Sequence, residues 1–173
     1  MGEAIIVGIA EIKCTREPND VLVAPSLGSG ICVCAYDSQE RVAAMAHVVL
    51  PDCHGDHSTA AKFADTAIPC LLQSIIDLGA APDRVRVALV GGAELRGFRG
   101  TGVRLEIGAR NAIAVRIGLE RANLRVVSAD IGGTAGRTVH LTADGRVRVK
   151  VAGGRERELV HLGQSIAVPS SPA

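Results

Sequence analysis

Aromatic side chains are nearly missing from this sequence: 173 residues contain no tryptophan, one tyrosine and two phenylalanines. A core without them has to be assembled from Val, Ile, Leu and Ala, with the 20 glycines serving turns and close backbone packing. The shortage also removes the platforms on which the bases of single strands stack. Basic residues do not make up for it, because 19 Lys and Arg stand against 18 Asp and Glu and are spread along the chain rather than gathered into a stripe. Nucleic acid is therefore not an expected partner.

Other absences narrow the reading further. No stretch of about 18 uninterrupted apolar residues is present, and acidic Glu3 stands where a secretory leader would be basic, so no membrane insertion and a cytoplasmic location are expected. The five cysteines, Cys14, Cys32, Cys34, Cys53 and Cys70, include no CxxC pair and read as free thiols. No GKS or GKT follows a glycine-rich turn and no GxGxxG opens a helix, so no phosphate loop is expected. Cys53, His54, Asp56 and His57 have the residue types of metal ligands, but their spacing is irregular. They read as a polar loop, with a metal or redox role as a weaker alternative.

What is present reads as one domain over residues 1–155, followed by a polar tail over 156–173, partly disordered. Ala4 to Ile12 predicts a first strand and Pro18 to Pro25 a loop. Ile31 to Tyr36 and Val42 to Leu50, separated by Asp37 to Arg41, predict an antiparallel hairpin. Ser58 or Thr59 opens a helix reaching Leu78, kinked or restarted at Pro69. A strand over Arg84 to Val90 ends at Gly91-Gly92. The charged loop from Glu94 to Arg104 offers a surface for partners. A second helix follows over Ile107 to Leu124, with an apolar stripe through Ile113, Ala114, Ile117 and Leu119. Leu124 to Ala129, Thr138 to Leu141 and Val147 to Val151 predict the closing strands, the last two joined at Asp144-Gly145. Strands at both ends with helices between favour an α+β fold over a doubly wound sheet.

Several short blocks recur in a family-like order. Leu27-Gly28-Ser29-Gly30, Cys34-Ala35-Tyr36-Asp37 and Ala46-His47-Val48-Val49-Leu50-Pro51 come first. Lys62-Phe63-Ala64-Asp65-Thr66-Ala67, Gly91-Gly92-Ala93, Ile107-Gly108-Ala109-Arg110-Asn111 and Asp130-Ile131-Gly132-Gly133 follow. In this order they resemble the CheD family of chemoreceptor glutamine deamidases. The resemblance implies two packed β-sheets flanked by helices, similar to a toxin-type cysteine deamidase. It also implies hydrolysis of a glutamine side-chain amide to glutamate and ammonia without a cofactor, methyl-accepting chemoreceptors as substrates, and a CheC-like phosphatase as partner.

Attack on a carboxamide requires a nucleophile, a base that activates it and donors for the oxyanion. By the resemblance His47 holds the base position, and Leu27, Gly28 and Ser29 lie in the substrate-binding loop. Gly30 stands where the family keeps its nucleophilic cysteine, and Ala24 where many members keep an assisting threonine. The resemblance therefore implies a deamidase impaired at the nucleophile. A binding module that recognises a receptor or a CheC-like phosphatase without catalysis is the alternative. With a hairpin loop of Asp37 to Glu40, residue 30 is expected directly across from residue 47. Cys32, two residues along the strand, is expected too far away to replace the missing thiol.

Overall fold

The computed structural model describes residues 2–94 and 106–164. The strands are β1 (Ala4–Ile6), β2 (Ile12–Thr15), β3 (Val21–Leu27), β4 (Ile31–Asp37) and β5 (Val42–Val48). Helix α1 (Ala64–Asp77), strand β6 (Arg86–Gly91) and helix α2 (Ile107–Arg121) follow. The chain then forms β7 (Arg125–Ile131), β8 (Arg137–Thr142), β9 (Arg146–Val151) and β10 (Glu156–His161). The strands make two five-stranded sheets, ordered β1-β3-β8-β9-β10 and β2-β5-β4-β6-β7. Two sheets with two main helices bear out the α+β reading.

The second sheet is covered on both faces, which explains why its central strands are apolar almost throughout. All seven residues of β4 and all seven of β5 are buried. Alternation divides them between two cores. Ile31, Val33 and Ala35 of β4 join Leu71 and Ile75 of α1 and Val115 and Leu119 of α2. Cys32, Cys34 and Tyr36 face the first sheet, where Leu22, Val139, Leu141 and Val149 pack against them. The first sheet has a solvent side, so β8 alternates between buried and half-buried residues along its length.

Several expected boundaries move. The predicted first strand is two strands in different sheets, because Ala10 adopts a φ of 60° and turns the chain between them. The expected loop up to Pro25 is largely β3. Pro25 is exposed at a register shift between Ala24 and Leu27 in the β3–β8 pairing, where its missing N–H leaves no ladder partner unmet. Helix α1 runs unbroken through Pro69, and neither Ser58 nor Thr59 caps it: Phe63 occupies the N-cap after a 3₁₀ turn at Ala60–Lys62. Helix α2 buries Gly108, Asn111, Ala112, Val115 and Leu119, whereas Ile113 and Ile117 of the expected stripe are exposed. Strand β10, paired antiparallel with β9, forms from residues that the sequence reading assigns to the tail. The charged loop lies almost wholly outside the described residues.

A glycine-built candidate site beside His47

Three glycine blocks converge at the end of the second sheet where β4 begins. The carbonyl of Gly30 accepts the Gly92 N–H at 2.9 Å and that of Gly28 accepts the Ala93 N–H at 3.0 Å. The Gly91 carbonyl accepts the Gly132 N–H at 2.9 Å, and that of Gly133 accepts the Glu94 N–H at 2.9 Å. These bonds draw the backbones so close that a β-carbon on Gly91 would stand 2.2 Å from the Gly30 oxygen. Gly91, at a φ of 124°, is also in a conformation that L side chains rarely adopt.

His47 lies at the end of β5, 4% exposed, with its backbone held by the turn that leads into β2: its N–H donates to the Glu11 carbonyl and its carbonyl accepts from the Ala10 N–H, both at 3.0 Å. Its Nδ1 is buried without a hydrogen-bond partner among the described residues. Burial pulls the imidazole pKa below its ordinary value, partly offset by the backbone of Val7, so the neutral ring is favoured. A neutral imidazole is the form that can act as a base.

The ring points at Gly30. A β-carbon built on that glycine would lie 2.9 Å from His47 Nε2, 3.2 Å from His47 Cδ2 and 2.9 Å from the Val48 carbonyl oxygen. This meeting is diagonal rather than direct. The β4–β5 register pairs Cys32, not Gly30, with His47, because β4 runs to Asp37 and β5 begins at Val42, so the turn is Ser38 to Arg41, one residue further along the chain than the Asp37 to Glu40 expected. Cys32 is thus nearer in register than the sequence reading placed it. Its thiol is fully buried, with its Sγ 3.7 Å from that of Cys34. Burial first, and the neighbouring Cys34 second, push its pKa well up, which disfavours a thiolate there.

The remaining predicted residues lie on β3 and in the loop to β4. Ala24 is fully buried on β3 in the core between the sheets. Leu27 is fully buried in the same core, while Gly28 and Ser29 are half-buried in the loop to β4. Leu27, Gly28 and Ser26 line one side of a cleft of about 310 Å³ whose other side includes Gly136 and Thr138. Cys53, His54, Asp56 and His57 do not converge. Cys53 is held through its N–H by the Asp65 carboxylate, Asp56 accepts from Ser58, and the described residues contain no group of three ligands able to hold a metal.

Asn111 was not singled out as a site residue by the sequence. Fully buried on α2, it donates from Nδ2 to the carbonyls of Ser29 and Val49, each at 3.0 Å. Those residues flank Gly30 and His47. The signal that could have found it is a lone amide on the apolar face of a helix.

Fold and site together define a class: an α+β domain in which a glycine-built loop sets one backbone position against a buried imidazole. The chain belongs to the CheD family, described as CheD chemotactic sensory transduction, which matches residues 49–151. It is 41% identical over 157 residues to a probable chemoreceptor glutamine deamidase CheD of Symbiobacterium thermophilum, covering 88% of this chain and 95% of that relative. A probable chemoreceptor glutamine deamidase CheD of Desulfitobacterium hafniense is 40% identical over 152 residues, covering 86% and 94%. The chemoreceptor glutamine deamidase CheD of Thermotoga maritima is 35% identical over 159 residues, covering 91% and 98%. No helix among the described residues is long and apolar enough to cross a membrane.

Proposed function

We propose that this chain serves chemotaxis in the cytoplasm as a chemoreceptor-directed protein built on a glutamine deamidase site, with turnover held close to zero by Gly30. The observation that carries the reading is the 2.9 Å between His47 Nε2 and the β-carbon position of residue 30. A thiol borne on that carbon would stand within reach of the imidazole, as a nucleophile and its base must.

The chemistry for which the site is laid out begins with transfer of a thiol proton to the imidazole and attack of sulfur on the carboxamide carbon of a glutamine. The tetrahedral intermediate collapses to a thioester as the imidazolium gives its proton to the departing ammonia. Water, deprotonated by the same imidazole, cleaves the thioester to glutamate and the free thiol. Among the described residues no acceptor is bonded to the N–H groups of Gly28, Ser29 and Gly30, whose carbonyls are all taken. Those N–H groups are suited to hold the carbonyl oxygen of the amide.

Glycine supplies no sulfur, and removing the nucleophile of a comparable covalent hydrolase lowers turnover roughly 10⁶-fold. Cys32 does not replace it, since its thiol is buried against Cys34 and disfavoured as thiolate. The second reading is a binding module that recognises a receptor helix or a CheC-like phosphatase. The departures at Gly30 and Ala24 favour it, since both remove reacting groups while leaving the loop and its glycine contacts in place.

The deciding experiment follows ammonia release, and the conversion of amide to acid by mass, on chemoreceptor helices with this chain, with Gly30→Cys and with Gly30→Cys combined with Ala24→Thr. Activity confined to the substituted forms supports the proposal. Deamidation by the unsubstituted chain at the rate of the Thermotoga maritima relative overturns it. Receptor binding with no activity in any form leaves the binding module as the function.

A further inference from the structure

Thr15, Asp37, His47, Asn111 and Arg137 are the buried polar side chains among the described residues. Of these, Asn111 is the one whose hydrogen bonds go both to the loop before β4 and to the segment after β5. A carboxamide enclosed between a helix and a sheet is costly unless its polar atoms are paired, and an apolar residue would fill the same face of α2 without that cost. Both Nδ2 hydrogens are used, one on the Ser29 carbonyl and one on that of Val49. The orientation of the amide is set by these bonds, because the reverse would aim Oδ1 at two carbonyl oxygens. Oδ1 is left buried without a partner among the described residues. An amide kept here at the expense of an unpaired acceptor is retained for its two donors.

The placement of those donors gives the reason. Ser29 immediately precedes Gly30, and Val49 lies two residues beyond His47, so one planar group ties the two segments that carry the site. The Gly28 and Gly30 carbonyls are fixed by Ala93 and Gly92, which follow β6, and Asn111 takes the remaining carbonyl of the loop. We propose that Asn111 is a positioning residue, which sets the distance between the side-chain direction of residue 30 and the His47 ring by holding Ser29 and Val49 in one plane. The inference rests on the reading of positions 30 and 47 as nucleophile and base. Loss of the tie lets the loop drift from the ring, and a misplacement of about 1 Å at a reacting pair can cost ~100-fold in rate.

Two measurements test it. The first uses Gly30→Cys and follows alkylation by iodoacetamide at each cysteine from pH 5 to 9 by peptide-resolved mass spectrometry, with Cys53 as the internal reference. The thiol at position 30 is expected to react at acidic pH like one paired with an imidazole. Adding Asn111→Ala, or Asn111→Asp, which replaces the donors by acceptors, should lower that acidic reactivity about ten-fold or more and leave Cys53 unchanged. An unchanged pH profile overturns the inference.

The second measurement needs no thiol and no stable double variant. In the unsubstituted chain and in Asn111→Ala, native-state hydrogen exchange is read at the Gly92 and Ala93 amides and at Val87 and Leu89 of β6. Selective acceleration at Gly92 and Ala93, about ten-fold or more, supports the positioning role. Equal acceleration at all four reduces Asn111 to a contributor to overall stability and overturns it. If Gly30→Cys alone has the pH profile of an ordinary thiol, the catalytic reading of the site fails while the exchange measurement still judges Asn111.

Discussion

The Nε2 of His47 lies 2.9 Å from where a β-carbon on Gly30 would stand, closer than real β-carbons come to their neighbours, and the Val48 carbonyl is equally near. The ring and the strand have settled into the space that a side chain at residue 30 would claim. Restoring a thiol there therefore requires the imidazole and the Val48 backbone to move back by a few tenths of an ångström.

Gly30→Ala isolates that steric term. Overlap is expected to destabilise the fold by about 1–2 kcal/mol, net of a smaller gain from a less flexible unfolded chain. In a His47→Ala background the loss should be smaller, because one of the two colliding groups is gone. Denaturant unfolding of the four proteins in the cycle, with unchanged m-values, checks this; equal losses in both backgrounds would contradict the packing described.

His47 should also make stability depend on pH. Its pKa in the fold lies below the ordinary histidine value, chiefly through burial, so below pH about 6.5 the unfolded chain takes up a proton that the folded chain resists. The contribution is complete above that pH and is lost as pH falls toward the folded-state pKa. His47→Gln should flatten the change in unfolding free energy between pH 7 and 5 relative to the unsubstituted chain.

Asp37 titrates in the acid range. Its carboxylate is buried where β4 ends and is bound by Arg84 at 2.9 Å, the Ala81 N–H at 2.9 Å and the Gln39 N–H at 2.9 Å. Burial pushes its pKa up, but the hydrogen bonds from Arg84, Ala81, Gln39 and Glu40 outweigh this and hold it below the usual carboxylate range. Its stabilisation is present above pH about 3.9 and is lost as pH falls through the folded-state value. Asp37→Ala is expected to cost about 2–4 kcal/mol at neutral pH and to weaken the acid-induced loss of stability.

Asp130 joins the two sheets, accepting from Arg137 of β8 at 3.1 Å and from Arg157 of β10. Arg137 is 8% exposed, so removing its counter-charge with Asp130→Ala should cost about 3 kcal/mol. Arg157 is 52% exposed, and Arg157→Ala should cost less than about 1 kcal/mol. Thermal unfolding that ranks the two in the reverse order would show that the inter-sheet tie lies elsewhere.

Gly91→Ala would set a methyl 2.2 Å from the Gly30 oxygen at a φ of 124°. A loss of at least ~3 kcal/mol is expected, with hydrogen exchange fastest at the Gly92 and Ala93 amides. A variant of native stability and unchanged exchange would refute the close approach.

The sequence by itself determined the elements whose pattern is local. The β4–β5 hairpin, the helix reaching Leu78 and the Asp144-Gly145 turn all show in local runs of residues bounded by turn residues. It also determined, through its ordered blocks, the family. Tertiary structure decided what depends on neighbours distant in sequence. Pro25 is tolerated in β3 because β3 itself bulges there against β8, and the polar β10 is a strand because β9 offers an edge. Helix α2 turns Asn111 rather than Ile113 inward because Asn111 shares a stripe with Ala112, Val115 and Leu119, which pack into the core, and there it meets the Ser29 and Val49 carbonyls. The site follows the same division. A glycine and a histidine can be read from the chain, but their diagonal contact depends on where the turn falls, on strand register and on three glycine backbones packed closer than any side chain would permit.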